Sequence, residues 1–377
     1  MPSYPRRRSY GSGSVYRAAD GRWRGATTVT DPATGARVRR VVSGPTAAET
    51  RQKLDRLRAV AVPSTTMRTA DWLTAWLPTA RLRVAPSTFR GYEVVARSIA
   101  AHVGDVPLGG LTPTDVERMT AAMVTAGRTG RTAGMARKVL RLSLRQAIRD
   151  GLVARNVAAE ARPPRVERYP ARTLTAPEAR RLIEATWDDD LGSLWAVLIS
   201  TGLRQGEALG LAWRDVTADT LTVRQSLTRG WDGRLTLGPP KSDRSRRTIA
   251  LPTVARDALE RQRGRQNAAR AEVGTAWQDR DGLVFTDAVG RPLVGRHVTP
   301  ALKAALARAG LPDIRCHDLR HTAATLQLAA GVPLAVISRT LGHSTLAITA
   351  DIYAAVTPDL RREAADAMDR ALEGPEP

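Results

Sequence analysis

Six side chains, spread over three stretches of the 377-residue chain, have types suited to one kind of chemistry. His317, Arg320, His343 and Tyr353 fall within a span of 37 positions near the C-terminus. Tyr353 is the single tyrosine after Tyr169. Upstream, Thr201-Gly-Leu-Arg-Gln-Gly-Glu207 supplies Arg204, and Gly238-Pro-Pro-Lys-Ser-Asp243 supplies Lys241. A phenol can attack an electrophilic centre and store the bond, but its pKa near ~10 demands a base or local positive charge. Guanidiniums match planar oxyanions with paired donors. An imidazole and an ammonium can move the protons.

Each residue also has a plainer reading. A lone Arg204 in so arginine-rich a chain is a surface charge, a lone Lys241 a solvated turn, and Tyr353 in Ile-Tyr-Ala-Ala a core residue. Lysine is rare, however: four of the 58 basic residues. Arg204 sits at the start of a helical run, where free N–H groups favour an anion, and Glu207, three residues on, can brace the turn or the guanidinium. His317 and Arg320, three apart, share a helical face. His317 and His321 have a zinc-chelating i,i+4 spacing, but no Glu follows His317 as in a metalloprotease helix. Cys316 is the lone cysteine, so neither a disulfide framework nor a Cys-based zinc site is available within the chain.

The elements that must position these groups can be read in order. Residues 1–14 form a basic arm rich in Arg, Ser, Gly and Pro. Alternation over 15–42, broken at Asp31-Pro32, predicts three strands, and Thr46-Ala-Ala-Glu49 opens a helix. Residues 1–62 carry 13 basic against 4 acidic residues. A small basic sheet can read DNA, with Arg22, Arg24, Arg37 and Arg39 as candidate contacts. Residues 66–160 read as helices, with Trp72, Leu73, Trp76 and Leu77 on one face. The helix over 131–150 sets Arg137, Lys138, Arg141 and Arg145 against apolar residues, and its basic side suits phosphates. A Pro- and charge-rich linker spans 161–172. Beyond it come Thr175-Ala-Pro-Glu178 as a capping box, a helix over 191–201, strands over 221–227, 235–237 and 247–251, and helices over 253–270 and 298–309. A last helical run carries Leu360, Ala364, Met368 and Leu372.

Net charge is +21 and the isoelectric point about 11.3, which favours a polyanionic partner over a purely compositional arginine bias. The basic N-terminus lacks a following apolar run, so a signal peptide is not expected. The apolar run at 194–199 is too short to span a bilayer. A reducing, cytoplasmic location in association with the nucleoid, without a membrane, is expected.

The order and spacing of Arg204, Lys241, the His317-Asp-Leu-Arg320 box, Leu341-Gly-His343 and Tyr353 resemble the tyrosine recombinase (phage-type integrase) family. The likeness is firmest over 173–362. The resemblance implies a mainly helical multidomain protein with small sheets. Its parts would be an arm-type DNA-binding domain at 1–62, a helical core-site domain at 66–160, and an α+β catalytic domain over 173–377 ending in a tail helix. It implies site-specific recombination for a phage or integrative element, with Tyr353 forming a 3′-phosphotyrosine link. In this scheme His317 is the base, Arg204 and Arg320 clamp the non-bridging oxygens, Lys241 protonates the departing 5′ oxygen, and His343 hydrogen-bonds the phosphate. Guanidiniums stand where other phosphoryl-transfer sites use metals, so no metal, ATP or other cofactor is required. Expected partners are double-stranded attachment-site DNA, further copies forming a tetramer on synapsed DNA through the tail, and an excision or DNA-bending accessory protein. The alternatives are a catalytically idle DNA-binding protein on the same fold and a metal-dependent nuclease using His317 and His321.

Overall fold

The computed structural model describes residues 14–30, 37–60, 66–167, 172–240, 245–279 and 281–342, together with Met368, Asp369 and Leu372. Lys241, His343, Tyr353 and most of the C-terminal tail lie outside these residues. The chain divides into two compact units, Met1–Arg168 and Tyr169–Pro377.

The first unit opens with an antiparallel meander of β1 (Ser14–Arg17), β2 (Trp23–Thr30) and β3 (Arg37–Gly44). Helix α1 (Ala47–Val60) starts where Thr46 Oγ1 accepts the Glu49 N–H at 3.2 Å. It covers one sheet face. A Cβ on Gly25 would lie 2.4 Å from Leu54 Cδ1, so the close approach of α1 needs glycine there. The register pairs Arg24 with Tyr16 and Ser43, and Thr28 with Arg39. Side chains alternate across a strand, so Tyr16, Arg24, Arg39 and Val41 occupy the face away from α1. All four are exposed.

Helices α2 (Thr69–Arg81), α3 (Pro86–Val103), α4 (Pro113–Thr125), α5 (Gly130–Arg149) and the short α6 (Val157–Glu160) follow. The periodic apolar residues supply their common core. Trp72, Leu73, Trp76, Ile99, Val116, Met119, Leu140 and Leu144 are buried. Trp76 stacks on Tyr92 with ring centroids 5.7 Å apart.

The second unit is built around α8 (Gly192–Thr201), preceded by α7 (Ala176–Thr186). Nearly every residue of α8 is buried, as its run from Leu194 to Ile199 requires. It leads through Gly202, in the left-handed region at φ 65°, into α9 (Gln205–Leu209). Next come β4 (Thr220–Val223), β5 (Ser226–Arg229), β6 (Leu235–Gly238) and β7 (Arg247–Ala250). The continuous strand expected over 221–227 is in fact two. β4 pairs with β7 and β5 with β6, in separate sheets. The break has a local cause. Arg224 turns out to the buried Asp215 at 2.9 Å, and Gln225 donates to the Gly210 carbonyl at 2.8 Å.

Helix α10 (Thr253–Val273) packs on α8, and α11 (Gly295–Arg308) begins three residues before the expected start. Helices α12 (Cys316–Ala329) and α13 (Leu334–Leu341) follow. They pack through Ala324, Leu328, Ile337 and Leu341. The fold class is that expected from the sequence: mainly helical, with small sheets and an N-terminal three-stranded sheet. No helix among the described residues is long and apolar enough to cross a membrane.

Candidate active site

Arg204 is the residue that caps α9. Its own N–H donates to Glu207 Oε2 at 3.0 Å, and its Nη1 reaches Glu207 Oε1 at 2.7 Å. The two roles considered for Glu207, bracing the turn and bracing the guanidinium, are therefore both filled. Glu207 is 3% exposed. Its Oε2 also accepts Arg247 Nη2 at 2.9 Å. Burial pushes this carboxyl up, but the Arg247 hydrogen bond and charge, then the bonds from Arg204, outweigh it and hold it below its usual value.

Arg320 lies on α12 and is 2% exposed. Its Nη1 donates to the Gly202 carbonyl at 2.7 Å and its Nη2 to the Leu341 carbonyl at 2.5 Å. Burial, then repulsion from Arg204, brings this guanidinium down to about 9; Glu207 opposes the shift and Arg247 adds to it.

The last turn of α13 is where these groups meet. Arg247 Nε donates to the Thr340 carbonyl at 2.5 Å, Arg320 to Leu341, and Arg204 Nη2 to Gly342 at 3.1 Å. Three consecutive carbonyls, which a helix C-terminus leaves without intrahelical partners, are each taken by a different arginine. Gly342 adopts φ 67° and hands the chain directly to His343.

The cluster holds three guanidiniums and one buried carboxylate, which bonds Arg204 and Arg247, so it keeps an excess of positive charge beside a helix end. Such a site gains from a polyoxyanion. His317, on the first turn of α12, stands by it with its outer side open to solvent. Loss of water around the rest of the ring, then the neighbouring His321, Arg320 and Arg204, pushes its pKa down to about 4 against the pull of Asp318. The ring is therefore neutral at pH 7, as a proton acceptor must be. His321 meets it edge-on, with centroids 5.0 Å apart. Asp318 does not join the cluster. It turns to the start of α12, where it binds the Arg315 N–H at 2.9 Å and the Arg315 guanidinium at 2.8 and 3.0 Å.

The structure thus brings together Arg204, Glu207, His317 and Arg320. Sequence reasoning missed Arg247 and Ser245. The signal for Arg247 was present: in β7 it shares the inward parity of Ile249, while Arg246, Thr248 and Ala250 are exposed. Its side chain is 6% exposed. Ser245 is buried, and its carbonyl accepts Arg247 Nη1 at 2.9 Å.

The suggested DNA contacts sort differently. Arg24 is exposed and pairs with Asp20 at 2.7 Å; Arg22 and Arg39 are exposed, and Arg37 is in β3. On α5, Lys138 and Arg145 are exposed and Arg141 is half-buried. Arg137 is engaged within the unit, donating to the carbonyls of Ala161 and Ala159 at 3.0 and 3.1 Å.

Known proteins share this plan. A profile of the phage integrase family matches residues 172–359, a span that includes Lys241, His343 and Tyr353. Tyrosine recombinase XerC of Mesorhizobium japonicum is 31% identical over 73% of this chain and 86% of that protein. An integrase of Streptomyces ambofaciens is 29% identical over 92% of this chain and 93% of its own length. Among solved structures, a lambda integrase tetramer bound to a Holliday junction superposes with a TM-score of 0.59, at 18% identity, over 92% of this chain and 96% of that one. The order of the chemical residues, the arginine cluster at the end of α13 and these likenesses agree, and the chain belongs to the tyrosine recombinase family.

Proposed function

We infer that this chain is a site-specific DNA recombinase of the integrase type, which breaks and rejoins DNA by way of a tyrosine. The observation that carries the reading is the convergence of Arg204 and Arg320 on the last turn of α13, in a cluster with excess positive charge.

Within that activity we propose the roles of individual residues. Tyr353 Oη attacks the phosphorus of a phosphodiester, forming a 3′-phosphotyrosine bond and breaking the bond to the 5′ oxygen. His317 accepts the phenolic proton. Lys241 donates a proton to the departing oxygen. Arg204 and Arg320 face the non-bridging oxygens, where negative charge grows. His343 hydrogen-bonds the same phosphate. A free 5′-hydroxyl from a second strand then attacks the phosphotyrosine and restores a phosphodiester, so bond energy is kept throughout. The charge stabilisation comes from guanidiniums, and the reaction is expected to proceed in EDTA.

The basic segment 1–62 is proposed as an arm-type DNA-binding domain, residues 66–160 as a core-site domain, 161–172 as a linker and 173–377 as the catalytic domain. The exposed sheet face carrying Tyr16, Arg24 and Arg39 supports the first assignment. Tetramer formation on synapsed DNA through the tail is the assembly proposed. The exposure of Met368 and Leu372, at 60% and 77%, supports a tail that buries apolar surface on another copy. An accessory bending or excision protein and a cytoplasmic location complete the reading.

The test is covalent trapping. Purified protein is mixed in EDTA with labelled DNA flanking its gene, quenched in detergent and run on a denaturing gel beside Tyr353→Phe. A protease-sensitive shifted band with the wild type alone is expected. An equal band from Tyr353→Phe sinks the assignment of the nucleophile.

A further inference from the structure

We propose that Arg247 is a positioning residue for strand cleavage, one guanidinium that sets both the phosphate-facing arginine Arg204 and the turn from which His343 departs. The proposal rests on the recombinase reading above.

The geometry is specific. Arg247 divides its donors among three partners, two of them on other elements. Nη2 goes to Glu207 Oε2 on α9 at 2.9 Å, Nε to the Thr340 carbonyl on α13 at 2.5 Å, and Nη1 to the Ser245 carbonyl at 2.9 Å. Glu207 in turn uses its other oxygen on Arg204 Nη1 at 2.7 Å. Arg204 closes the circuit by donating to the Gly342 carbonyl at 3.1 Å. The ring of contacts therefore runs Arg247, Glu207, Arg204, Gly342 and back through Thr340. One of its members, Arg204, is a proposed phosphate ligand, and another, Gly342, immediately precedes a second in sequence, His343.

Arg247 itself is buried within that ring and does not present its guanidinium to solvent. It acts through others and is not itself a catalytic residue. Its planar fork is what allows one side chain to hold a carboxylate and a carbonyl at a fixed angle. A lysine carries the charge but not that geometry. Without Arg247, Glu207 keeps Arg204 as its one charged partner among those described above, and the Thr340 carbonyl loses its donor. Arg204 is then free to rotate with Glu207, and α13 to shift against β7. An error of about 1 Å in a phosphate-clamping group costs on the order of a hundredfold in rate.

The experiment uses the full-length chain and an oligonucleotide carrying the cleavage site mapped by covalent trapping, nicked so that cleavage is irreversible. Single-turnover cleavage rates are measured for wild type, Arg247→Lys and Arg247→Met. Each is measured on a normal phosphodiester and on a methylphosphonate at the scissile position. The methylphosphonate lacks one anionic oxygen and so depends less on guanidinium placement. The expected result is a loss of roughly 10–100-fold on the phosphodiester for both variants. DNA binding by gel shift should stay within about threefold, and the loss on the methylphosphonate should be much smaller. Combining Arg247→Met with Glu207→Gln should add little to either single change, because they act in one chain of contacts. Arg247→Lys cleaving the phosphodiester at the wild-type rate overturns the proposal. So does an equal loss on both substrates, which is the mark of a merely misfolded fraction. Wild-type adduct formation in the same gel tests the recombinase reading separately.

Discussion

Arg320 donates from Nη2 to the carbonyl of Leu341 at 2.5 Å, tying the middle of α12 to the last turn of α13. With its other Nη it holds the carbonyl of Gly202, at the end of α8. A residue proposed to grip a phosphate is thus also a structural staple that joins α12 to the ends of α8 and α13. Removing it should cost stability as well as rate. Arg320→Ala leaves two carbonyls without this donor, at about 1–3 kcal/mol for each that stays dry. The expected outcome is a lower urea midpoint with cleavage lost, and a native-like midpoint would show that water fills the gap.

Gly202 offers a cleaner measure of how tightly α8 and α13 meet. It has φ 65°, and a Cβ there would lie 2.2 Å from Leu341 Cδ2. Gly310 has nearly the same φ, 62°, but open space around it. Gly202→Ala combines backbone strain with overpacking, roughly 1–3 kcal/mol beyond the strain alone. Unfolding free energies should rank Gly202→Ala well below Gly310→Ala, and equal losses would mean that Leu341 moves aside freely.

His317 should stay neutral over the whole working range. Its folded-state pKa, about 4, lies below the ordinary 6.5. The unfolded chain therefore binds the extra proton first as pH falls. The stability linked to this residue is complete above the ordinary value and is lost on acidification toward the folded one. In the DNA-free protein, labelled-histidine NMR assigned with His317→Gln should show no titration of this ring between pH 8 and about 5.5. An inflection near neutrality would refute the picture.

Arg137 and its neighbours on α5 should separate structural from binding roles. Arg137→Ala should lower stability by roughly 1 kcal/mol, because its guanidinium holds the carbonyls of Ala159 and Ala161. Lys138→Ala and Arg145→Ala, both at exposed positions, should leave stability alone. Each should reduce the slope of log affinity against log salt by about one if the side chain meets a phosphate. Binding titrations at several salt concentrations decide it.

How much of this was legible beforehand depends on range. The helix-start signals at Thr46 and Thr175 are local, and each begins a helix in the structure. The apolar spacing of Trp72, Leu73 and Trp76 likewise reports a buried face directly. The strand over 221–227 was misread because its apolar run hides a change of partner at Arg224 and Gln225, which only Asp215 and Gly210 reveal.

Residue types and their order along the chain determined the family and the candidate chemistry, because Arg204, His317, Arg320 and Tyr353 are marked by local sequence. Tertiary structure alone decided that Arg247 belongs with them. It also decided that Arg137 faces inward, and that three arginines from α9, β7 and α12 share the carbonyls of Thr340, Leu341 and Gly342. Periodicity tells which side of an element is buried. It carries no record of which distant backbone atoms will stand opposite, since that follows from the packing of α8, α12 and α13 against one another.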